Sequence, residues 1–361
     1  MLLRPYKIER EMNQMKPRQI LFWILKAGAA GVTAFLILNA LSYFYYYIPY
    51  NVECESGATD FVLPANFKGF NGEEGYVPIQ LDKNGYNNEM VPDEINVLCI
   101  GSSHTLAYTV KPGEGYPAIL NKSLQDSNGM TAYNIGMFGH EWYYCMDNLE
   151  EAIETFQPTD YVVVESFYSK FETAKLQRLN DNKYADAGQV TSKLVRTIKQ
   201  FPYLQLASHQ LKNMMSQSTK ISAGTTQTET ILKSETSLPE DYITELEQTF
   251  ARTAEIVSKQ NCKFIFLYHP DVLVDEKGNA YTDTDKVYLA YTKELCEKYG
   301  FIFVDMSATF LQAYEDSYIL PRGFANTKIG YGHLNRYGHE MIAEELYQII
   351  TEERSQTNEL H

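Results

Sequence analysis

Short apolar runs alternate with amphipathic stretches along most of the chain after residue 94. The apolar runs predict strands at residues 96–100, 131–135, 161–165, 263–268 and 301–305. Helical periodicity predicts helices at residues 118–125, 142–156, 240–259, 286–298 and 338–351. Apolar strands that are separated by helices are typical of a parallel sheet covered on both faces. The pattern therefore predicts an α/β fold, a flavodoxin-like three-layer α/β/α sandwich with a five-stranded parallel sheet, over residues 93–355.

A separate apolar stretch lies near the N-terminus. Residues 20–50 contain one charge, Lys26, and they exceed the about 20 apolar residues that a membrane-spanning helix needs. Five basic residues and two acidic residues precede this stretch, and tyrosines follow it. This asymmetry predicts a cytoplasmic basic tail over 1–19, a single-pass anchor over 20–48 and an extracytoplasmic domain. A cleaved secretory signal is the alternative, and the missing small-x-small site favours an uncleaved anchor.

Two regions break the alternation of strands and helices. Residues 49–92 are rich in Gly, Asn, Asp and Glu and are predicted to be a stalk and lead-in loop. Residues 167–238 form an insertion, with mixed helical patterning at 193–215 and many Ser and Thr residues at 216–237. A connection of this length is usually a lid, a partner-binding element or disorder, and the sequence leaves all three open.

Composition excludes several classes of protein. The formal net charge is −15, and nucleic-acid binding needs clustered basic residues, so no nucleic-acid partner is expected. The chain has no HExxH zinc motif, no GxGxxG dinucleotide motif and no P-loop, so neither a metal nor a cofactor is predicted. Its 28 tyrosines are compatible with a sugar-binding surface.

Two segments more than two hundred residues apart carry candidate chemistry. The strand at 96–100 runs into Gly101-Ser102-Ser103, and Gly332-His333 precedes the last predicted helix. A serine alcohol becomes a useful nucleophile when a neighbouring base takes its proton, so Ser103 and His333 predict serine-based acyl chemistry. In the alternative reading, the Ser and Thr residues that follow Gly101 only cap a helix.

These segments resemble the sequence blocks of the SGNH (GDSL-like) esterase and acetyltransferase superfamily. Ser102-Ser103 stands where the family has Asp-Ser, residues 134–139 match the block Asn-x-x-x-x-Gly, and His333-Leu334-Asn335 matches the last block. The resemblance implies an SGNH-type fold with Ser103 as nucleophile and His333 as general base. It also implies that the backbone N–H groups of Ser103 and Gly139 form the oxyanion hole.

The chain departs from the family pattern at two positions. No Asn follows the strand at 161–165, so Ser166 or Ser169 could replace that oxyanion donor. Gly330 occupies the position three residues before His333, where the family has an Asp. Asp305 is a candidate for the missing orienting acid, and it could equally cap the following turn.

Three further residues are candidates for the cleft. His104 follows the predicted nucleophile but could sit in the first turn of a helix. His140 adjoins Gly139, and Asn335 follows His333 in the last block.

The sequence thus predicts a membrane-anchored serine acyl-ester enzyme, an O-acetyltransferase or an esterase. The expected substrate is an acylated cell-surface glycan, with a polytopic membrane acyltransferase as a possible partner. A catalytically impaired SGNH-fold protein that serves in glycan binding or assembly is the alternative. A lipase or thioesterase that acts on membrane lipids is a third reading.

Overall fold

The computed structural model describes residues 16–47, 63–182, 200–208, 210–211 and 238–359. The elements in the first half are α1 (Pro17–Tyr43), β1 (Tyr46–Tyr47), β2 (Lys68–Asn71), β3 (Val77–Gln80), β4 (Val97–Ile100), α2 (Ser103–Leu106), α3 (Tyr116–Asn128), β5 (Ala132–Asn134), α4 (Trp142–Asp147), α5 (Leu149–Phe156), β6 (Tyr161–Ser166) and α6 (Thr173–Asn180). Those in the second half are α7 (Glu240–Lys259), β7 (Lys263–Tyr268), β8 (Val272–Val274), β9 (Ala280–Thr282), α8 (Lys286–Tyr299), β10 (Ile302–Asp305), α9 (Ser307–Ser317) and α10 (Arg336–Glu359).

The central sheet has the strand order β10-β7-β6-β4-β5, and every neighbouring pair is parallel. Successive residues of β4 alternate between two cores, although all four are buried. Leu98 and Ile100 pack with helices α4 to α8 on one face, whereas Val97 and Cys99 pack with α3, α9 and α10 on the other. Helices therefore cover both faces, which confirms the predicted α/β three-layer sandwich.

The predicted strands and helices match the observed ones to within a few residues at most ends. One predicted helix, at 142–156, is in fact two helices that meet at Asn148. The Asn148 side-chain amide donates to the Tyr144 carbonyl at 2.9 Å. An asparagine that bonds back to the preceding turn competes with the helical hydrogen bonds, and the chain changes direction there.

The region predicted to be a stalk and lead-in contains regular structure from residue 63 onward. Strands β1, β2 and β3 form a three-stranded antiparallel sheet. Val77 and Ile79 of β3 are buried and alternate with exposed residues, the period that strands require. Ile79 packs in an apolar cluster with Leu106 and Met137, which ties this sheet to the main domain. The sequence did not predict β2 and β3, because the apolar alternation in this region is short and lies among polar residues.

Helix α1 is long and apolar enough to cross a bilayer, and its length and composition suit either a membrane span or a signal sequence. The predicted insertion divides into several parts. Residues 167–182 belong to the main domain, since Phe171, Leu176 and Leu179 are buried in its core. Residues 202–208 are helical. Most of the 193–215 and all of the 216–237 predictions lie outside the described residues.

Candidate active site

The turn after β4 presents Ser103 at the carboxyl edge of the sheet. Ser103 is the first residue of α2, and Ser102 is its N-cap, with a side chain that accepts from the His104 N–H at 3.2 Å. Gly101 permits this turn, because a Cβ there would lie 2.1 Å from Thr105 Oγ1 and 2.8 Å from the Glu165 carboxyl carbon. Ser103 is half-buried while its neighbours Ser102 and His104 are buried, so Ser103 is the residue of this turn that substrate can reach.

Ser103, His333 and Glu74 form a connected set. Ser103 Oγ lies 2.8 Å from His333 Nε2, and His333 Nδ1 contacts the Glu74 carboxylate. A carboxylate can only accept, so Nδ1 carries the proton and Nε2 presents its lone pair to Ser103. The side chains are 19% (Glu74) and 25% (His333) exposed, which shields the pair from water. This is the arrangement of nucleophile, base and orienting acid that serine acyl chemistry requires.

Glu74 comes from a part of the chain that the sequence reading did not connect with the site. It follows β2 in the turn to β3, where the Asn71 side chain accepts from the Glu73 N–H at 3.1 Å. Gly332 lets the carboxylate approach His333, since a Cβ at Gly332 would lie 2.3 Å from Glu74 Oε1. Glu74, and not Asp305, is the carboxylate that contacts His333. The Asp305 carboxylate accepts from the Ser307 N–H at 2.9 Å and so caps the turn after β10.

A second carboxylate, Glu165, fixes the nucleophile turn from beneath. It is 1% exposed at the end of β6. It accepts from the Ser102 N–H at 3.2 Å and also from the Ser102 and Thr105 hydroxyls. Burial opposes its ionisation, but the His269 ring 3.9 Å away and hydrogen bonds from the Ser102 and Thr105 hydroxyls hold the pKa of Glu165 below its ordinary value. The carboxylate therefore stays charged and holds the turn rigid.

Arg322 balances this buried charge and holds two histidines. It is 3% exposed, and its guanidinium lies 3.0 Å from His104 Nε2, 2.9 Å from His269 Nδ1 and 2.8 Å from the Asp271 carboxylate. Burial, reinforced by the charge of Arg322, lowers the pKa of His104. Burial also lowers the pKa of His269, although the nearby Glu165 opposes this shift. Both rings are therefore neutral near pH 7, and they pack beside the Ser103–His333 pair without adding charge to it.

His104 supports His333 from behind instead of facing substrate. The two rings are 5.1 Å apart, and the Leu334 N–H lies 3.2 Å from His104 Nδ1. The two nitrogens of His104 thus face two donors, the Arg322 guanidinium and the Leu334 N–H. A neutral imidazole carries a proton on one nitrogen, so His104 can accept a hydrogen bond from only one of these donors. On the open side of His333, the Tyr108 hydroxyl lies 3.5 Å from Nε2. Burial raises the pKa of Tyr108 well above its ordinary value, so this hydroxyl remains a hydrogen-bond donor.

The segment after β5 approaches the nucleophile turn as the resemblance implies. The Met137 N–H donates to the Gly101 carbonyl at 3.0 Å, and the Asn134 side chain donates to the Thr105 carbonyl at 2.9 Å. Gly139 is exposed and has a φ of 70°, which suits glycine. Among the described residues, the N–H groups of Ser103 and Gly139 have no acceptor.

The remaining predicted residues have structural contacts. The His140 ring stacks on Tyr144 at 3.8 Å between centroids. The Asn335 side chain accepts from the Tyr337 and Gly338 N–H groups, and so caps α10. Ser166 exchanges hydrogen bonds with the backbone of Tyr168, and Ser169 accepts from the Asp285 N–H at 2.9 Å. No hydrogen bond joins either serine to Ser103 among the described residues.

Comparison with known proteins gives matches among solved structures. No protein-family model matches the chain, and no curated protein matches it. LAE5, an α/β hydrolase enzyme from the metagenome of Lake Arreo in Spain, is 19% identical, with 69% of this chain and 92% of its own covered and a TM-score of 0.38.

Two further matches are acetylxylan esterases. A catalytic mutant of Axe2 from Geobacillus stearothermophilus is 15% identical, with 72% of this chain and 94% of its own covered and a TM-score of 0.38. The acetyl xylan esterase AlAXEase is 15% identical, with 71% of this chain and 100% of its own covered and a TM-score of 0.40. These TM-scores are below 0.5, so the matches carry no information about the chemistry of this chain.

Proposed function

We propose that this protein is a serine acyl-ester enzyme of the SGNH type. The observation that carries the proposal is the contact of Ser103 Oγ with His333 Nε2 at 2.8 Å while Glu74 holds the other ring nitrogen. A structural role alone would not require an accessible serine, a base and a shielded acid in this order.

The first half of the reaction forms an acyl-serine. Ser103 Oγ attacks the acyl carbonyl carbon as His333 Nε2 takes the hydroxyl proton, and the carbonyl oxygen becomes an oxyanion. The N–H groups of Ser103 and Gly139 donate to this oxyanion, and each such donor is worth roughly 3 to 4 kcal/mol where measured. The Glu74 carboxylate stabilises the imidazolium. His333 then returns the proton to the leaving alcohol oxygen as the ester C–O bond breaks.

The second half regenerates Ser103. His333 takes a proton from an incoming hydroxyl, whose oxygen attacks the acyl carbon, and the proton passes to Ser103 Oγ as the acyl-serine bond breaks. Water as the incoming group makes the protein an esterase, and a sugar hydroxyl makes it an O-acetyltransferase. The proposed chemistry includes both the esterase and the O-acetyltransferase reaction. A polytopic membrane acyltransferase would supply the acyl group for the second of them.

We infer an acylated cell-surface glycan as substrate and a single-pass extracytoplasmic topology. The topology rests on α1 and the basic residues before it. A groove of about 410 Å³ supports the glycan assignment, because its lining includes Gly75, the residue after Glu74, together with Tyr318, Phe324 and Tyr337. Tyr318 and Tyr337 are 78% and 51% exposed. Exposed rings at the edge of a groove offer apolar faces with a polar tip, which suits the faces of sugar rings.

The alternative function, glycan binding or assembly without catalysis, loses one of its two supports. The sequence favoured it because the family Asn after the strand at 161–165 and the family Asp before His333 are both missing. Glu74 provides a carboxylate at His333 Nδ1 from elsewhere in the chain.

The test is acetate release from p-nitrophenyl acetate by the full chain in detergent micelles. We expect Ser103→Ala and His333→Ala each to abolish the esterase activity, while Ser127→Ala, at an exposed helix position, serves as the matched control. Inclusion of a xylan or glucan oligosaccharide then distinguishes acetyl transfer from hydrolysis. Full activity in Ser103→Ala would refute the catalytic assignment.

A further inference from the structure

Helix α1 continues into the sheet that carries Glu74, without an intervening linker. The helix ends at Tyr43, and β1 pairs with β2 through Tyr46 and Asn71. The Tyr43 hydroxyl donates to the Lys68 carbonyl at 2.8 Å. Glu74 is three residues beyond β2. With about 3.4 Å per residue and about 5 Å between strands, its backbone lies at most about 25 Å from the end of the helix.

The same junction packs against the nucleophile side of the site. Tyr46 belongs to the apolar cluster that contains Leu106, from the nucleophile helix, and Met137, from the loop that leads to Gly139. Gly72 lies so close to the chain after α1 that a Cβ there would be 2.2 Å from the Tyr45 carbonyl oxygen. The catalytic set therefore has a fixed position near the outer end of the helix.

A segment of the insertion packs on the apolar part of α1 itself. The Phe35 ring lies 5.7 Å from Phe201 and 6.3 Å from Tyr203, measured between ring centroids. Phe35 precedes the end of α1 by eight residues. At about 1.5 Å per residue, it lies about 12 Å from that end along the helix axis. Residues 200–208 thus reach a depth at which α1 would be inside the bilayer.

A polar contact fixes this segment at that depth. Asn39 is an uncharged polar residue within the apolar helix, and its side-chain oxygen accepts from the Tyr203 N–H at 3.2 Å. Tyr203 is in the first turn of the helical stretch 202–208, where backbone N–H groups lack partners within the helix. Polar side chains and backbone groups in lipid require partners. Asn39 and the Tyr203 N–H satisfy each other, and the exposed Phe201 and Leu211 side chains are apolar.

We propose that residues 200–208 enter the outer leaflet beside α1 and, together with β1, hold Ser103 at the membrane surface. The enzyme then acts on acyl esters borne by membrane-anchored molecules in preference to freely diffusing ones. This inference rests on the proposed function for its chemistry and on the proposed anchor for its location. It assigns this part of the insertion a membrane-embedded role, and it assigns the substrate a lipid anchor.

The first experiment measures the depth of residue 201 in vesicles of phosphatidylglycerol and brominated phosphatidylcholine. The probe variant of the full chain carries Trp23→Phe together with Phe201→Trp, and the control variant carries Trp23→Phe together with Ser258→Trp. Ser258 is an exposed residue near the amino end of β7, at the sheet edge opposite the site. The buried Trp142 is common to both variants and contributes the same background fluorescence.

Bromine in the upper acyl chain quenches an indole that lies at its own depth. We expect it to quench the fluorescence of the probe variant at least threefold more than that of the control variant. Equal quenching of the two variants would overturn the placement of residues 200–208 in the outer leaflet.

The second experiment compares two acetyl esters of one sugar in the same vesicles. Octadecyl 6-O-acetylglucoside inserts in the bilayer, and methyl 6-O-acetylglucoside remains in solution. Confinement to the surface raises the effective concentration of the anchored ester, so we expect at least about tenfold higher kcat/KM for it. The Asn39→Leu/Phe201→Ala variant should lose most of this preference while its rate on the methyl glucoside is unchanged.

The outcomes separate the two proposals. Equal kcat/KM for both esters in the natural chain would overturn the membrane-substrate inference while leaving the esterase. Absence of acetate release from either ester and from p-nitrophenyl acetate, with the probe variant still quenched, would refute the proposed function and leave the membrane placement intact.

Discussion

Replacing Glu74 by Gln tests whether this residue is the orienting acid. Gln has nearly the same shape, and its amide oxygen can still accept from His333 Nδ1, so the imidazole keeps its orientation. The variant loses the negative charge that stabilises the imidazolium formed during acyl transfer. We therefore expect kcat to fall while KM for p-nitrophenyl acetate is nearly unchanged.

The size of the effect follows from the geometry of the pair. Two unit charges about 4 Å apart attract by about 4 kcal/mol at an effective dielectric constant of about 20. The side chains are 19% and 25% exposed, and solvent screening reduces this value to about 2–3 kcal/mol. A loss of about 2–3 kcal/mol corresponds to a decrease of about 30- to 150-fold in kcat. Glu74→Ala also removes the restraint on the His333 ring, so kcat of this variant should fall by about 10³- to 10⁴-fold.

Glu73 provides the matched control, because it is the adjacent carboxylate in the same turn. Its backbone N–H bonds to Asn71, and it is the Glu74 carboxylate that contacts His333 Nδ1. The kcat of Glu73→Gln should stay within about threefold of that of the natural chain, because this substitution leaves the hydrogen bonds of Ser103, His333 and Glu74 in place. If Glu74→Gln is as active as Glu73→Gln, the contact between Glu74 and His333 has no catalytic role.

Three further predictions concern the support of the site. Arg322→Met leaves the buried Glu165 charge without its compensating cation and should lower the free energy of unfolding by about 3–5 kcal/mol; an unchanged urea midpoint would contradict this. Burial lowers the pKa of His339 to about 3 in the folded protein, whereas the same side chain has its ordinary pKa of about 6.5 in the unfolded chain. The unfolded chain therefore gains a proton as the pH falls, and the free energy of unfolding should decrease by about 2 kcal/mol between pH 7 and pH 5. His339→Asn should reduce that decrease in denaturant unfolding, and an equal decrease in both proteins would exclude His339 as its source. Gly136→Ala places a Cβ 2.4 Å from the Leu106 N atom and should lower both stability, by about 1–3 kcal/mol, and esterase activity; a fully active, equally stable variant would show that the loop adjusts freely.

The sequence predicts the central sheet well because each of its strands contains an apolar run bounded by polar residues or turns. The strand at 263–268 and the helix at 240–259 are observed with the predicted bounds. Ser103 and His333 could be singled out because each stands beside a strand end or a helix start within a recognisable block. Their roles remain proposals, but the structure brings them to hydrogen-bond distance.

The acid could not be found in the same way. Glu74 lies among polar and glycine residues, and nothing local connects it with a histidine 259 positions later. The alternation of the apolar residues Val77, Ile79 and Leu81 could have predicted a strand there, and this strand belongs to the small sheet that positions Glu74. Glu165 was read as part of a strand, and its function as the clamp of the nucleophile turn depends on contacts between neighbouring strands. Such contacts depend on strand order, which local pattern does not specify.

The long separation of Ser103, Glu74 and His333 along the chain has a consequence for folding. Ser103 and Glu74 are 230 and 259 residues from His333 along the chain. Contacts between such distant residues carry a large loop-closure cost and form after local structure. Secondary structure can therefore be complete while the nucleophile still lacks its base. In refolding followed by circular dichroism and by ester hydrolysis, activity should return last, so a partly folded chain would be unable to acylate itself or its neighbours.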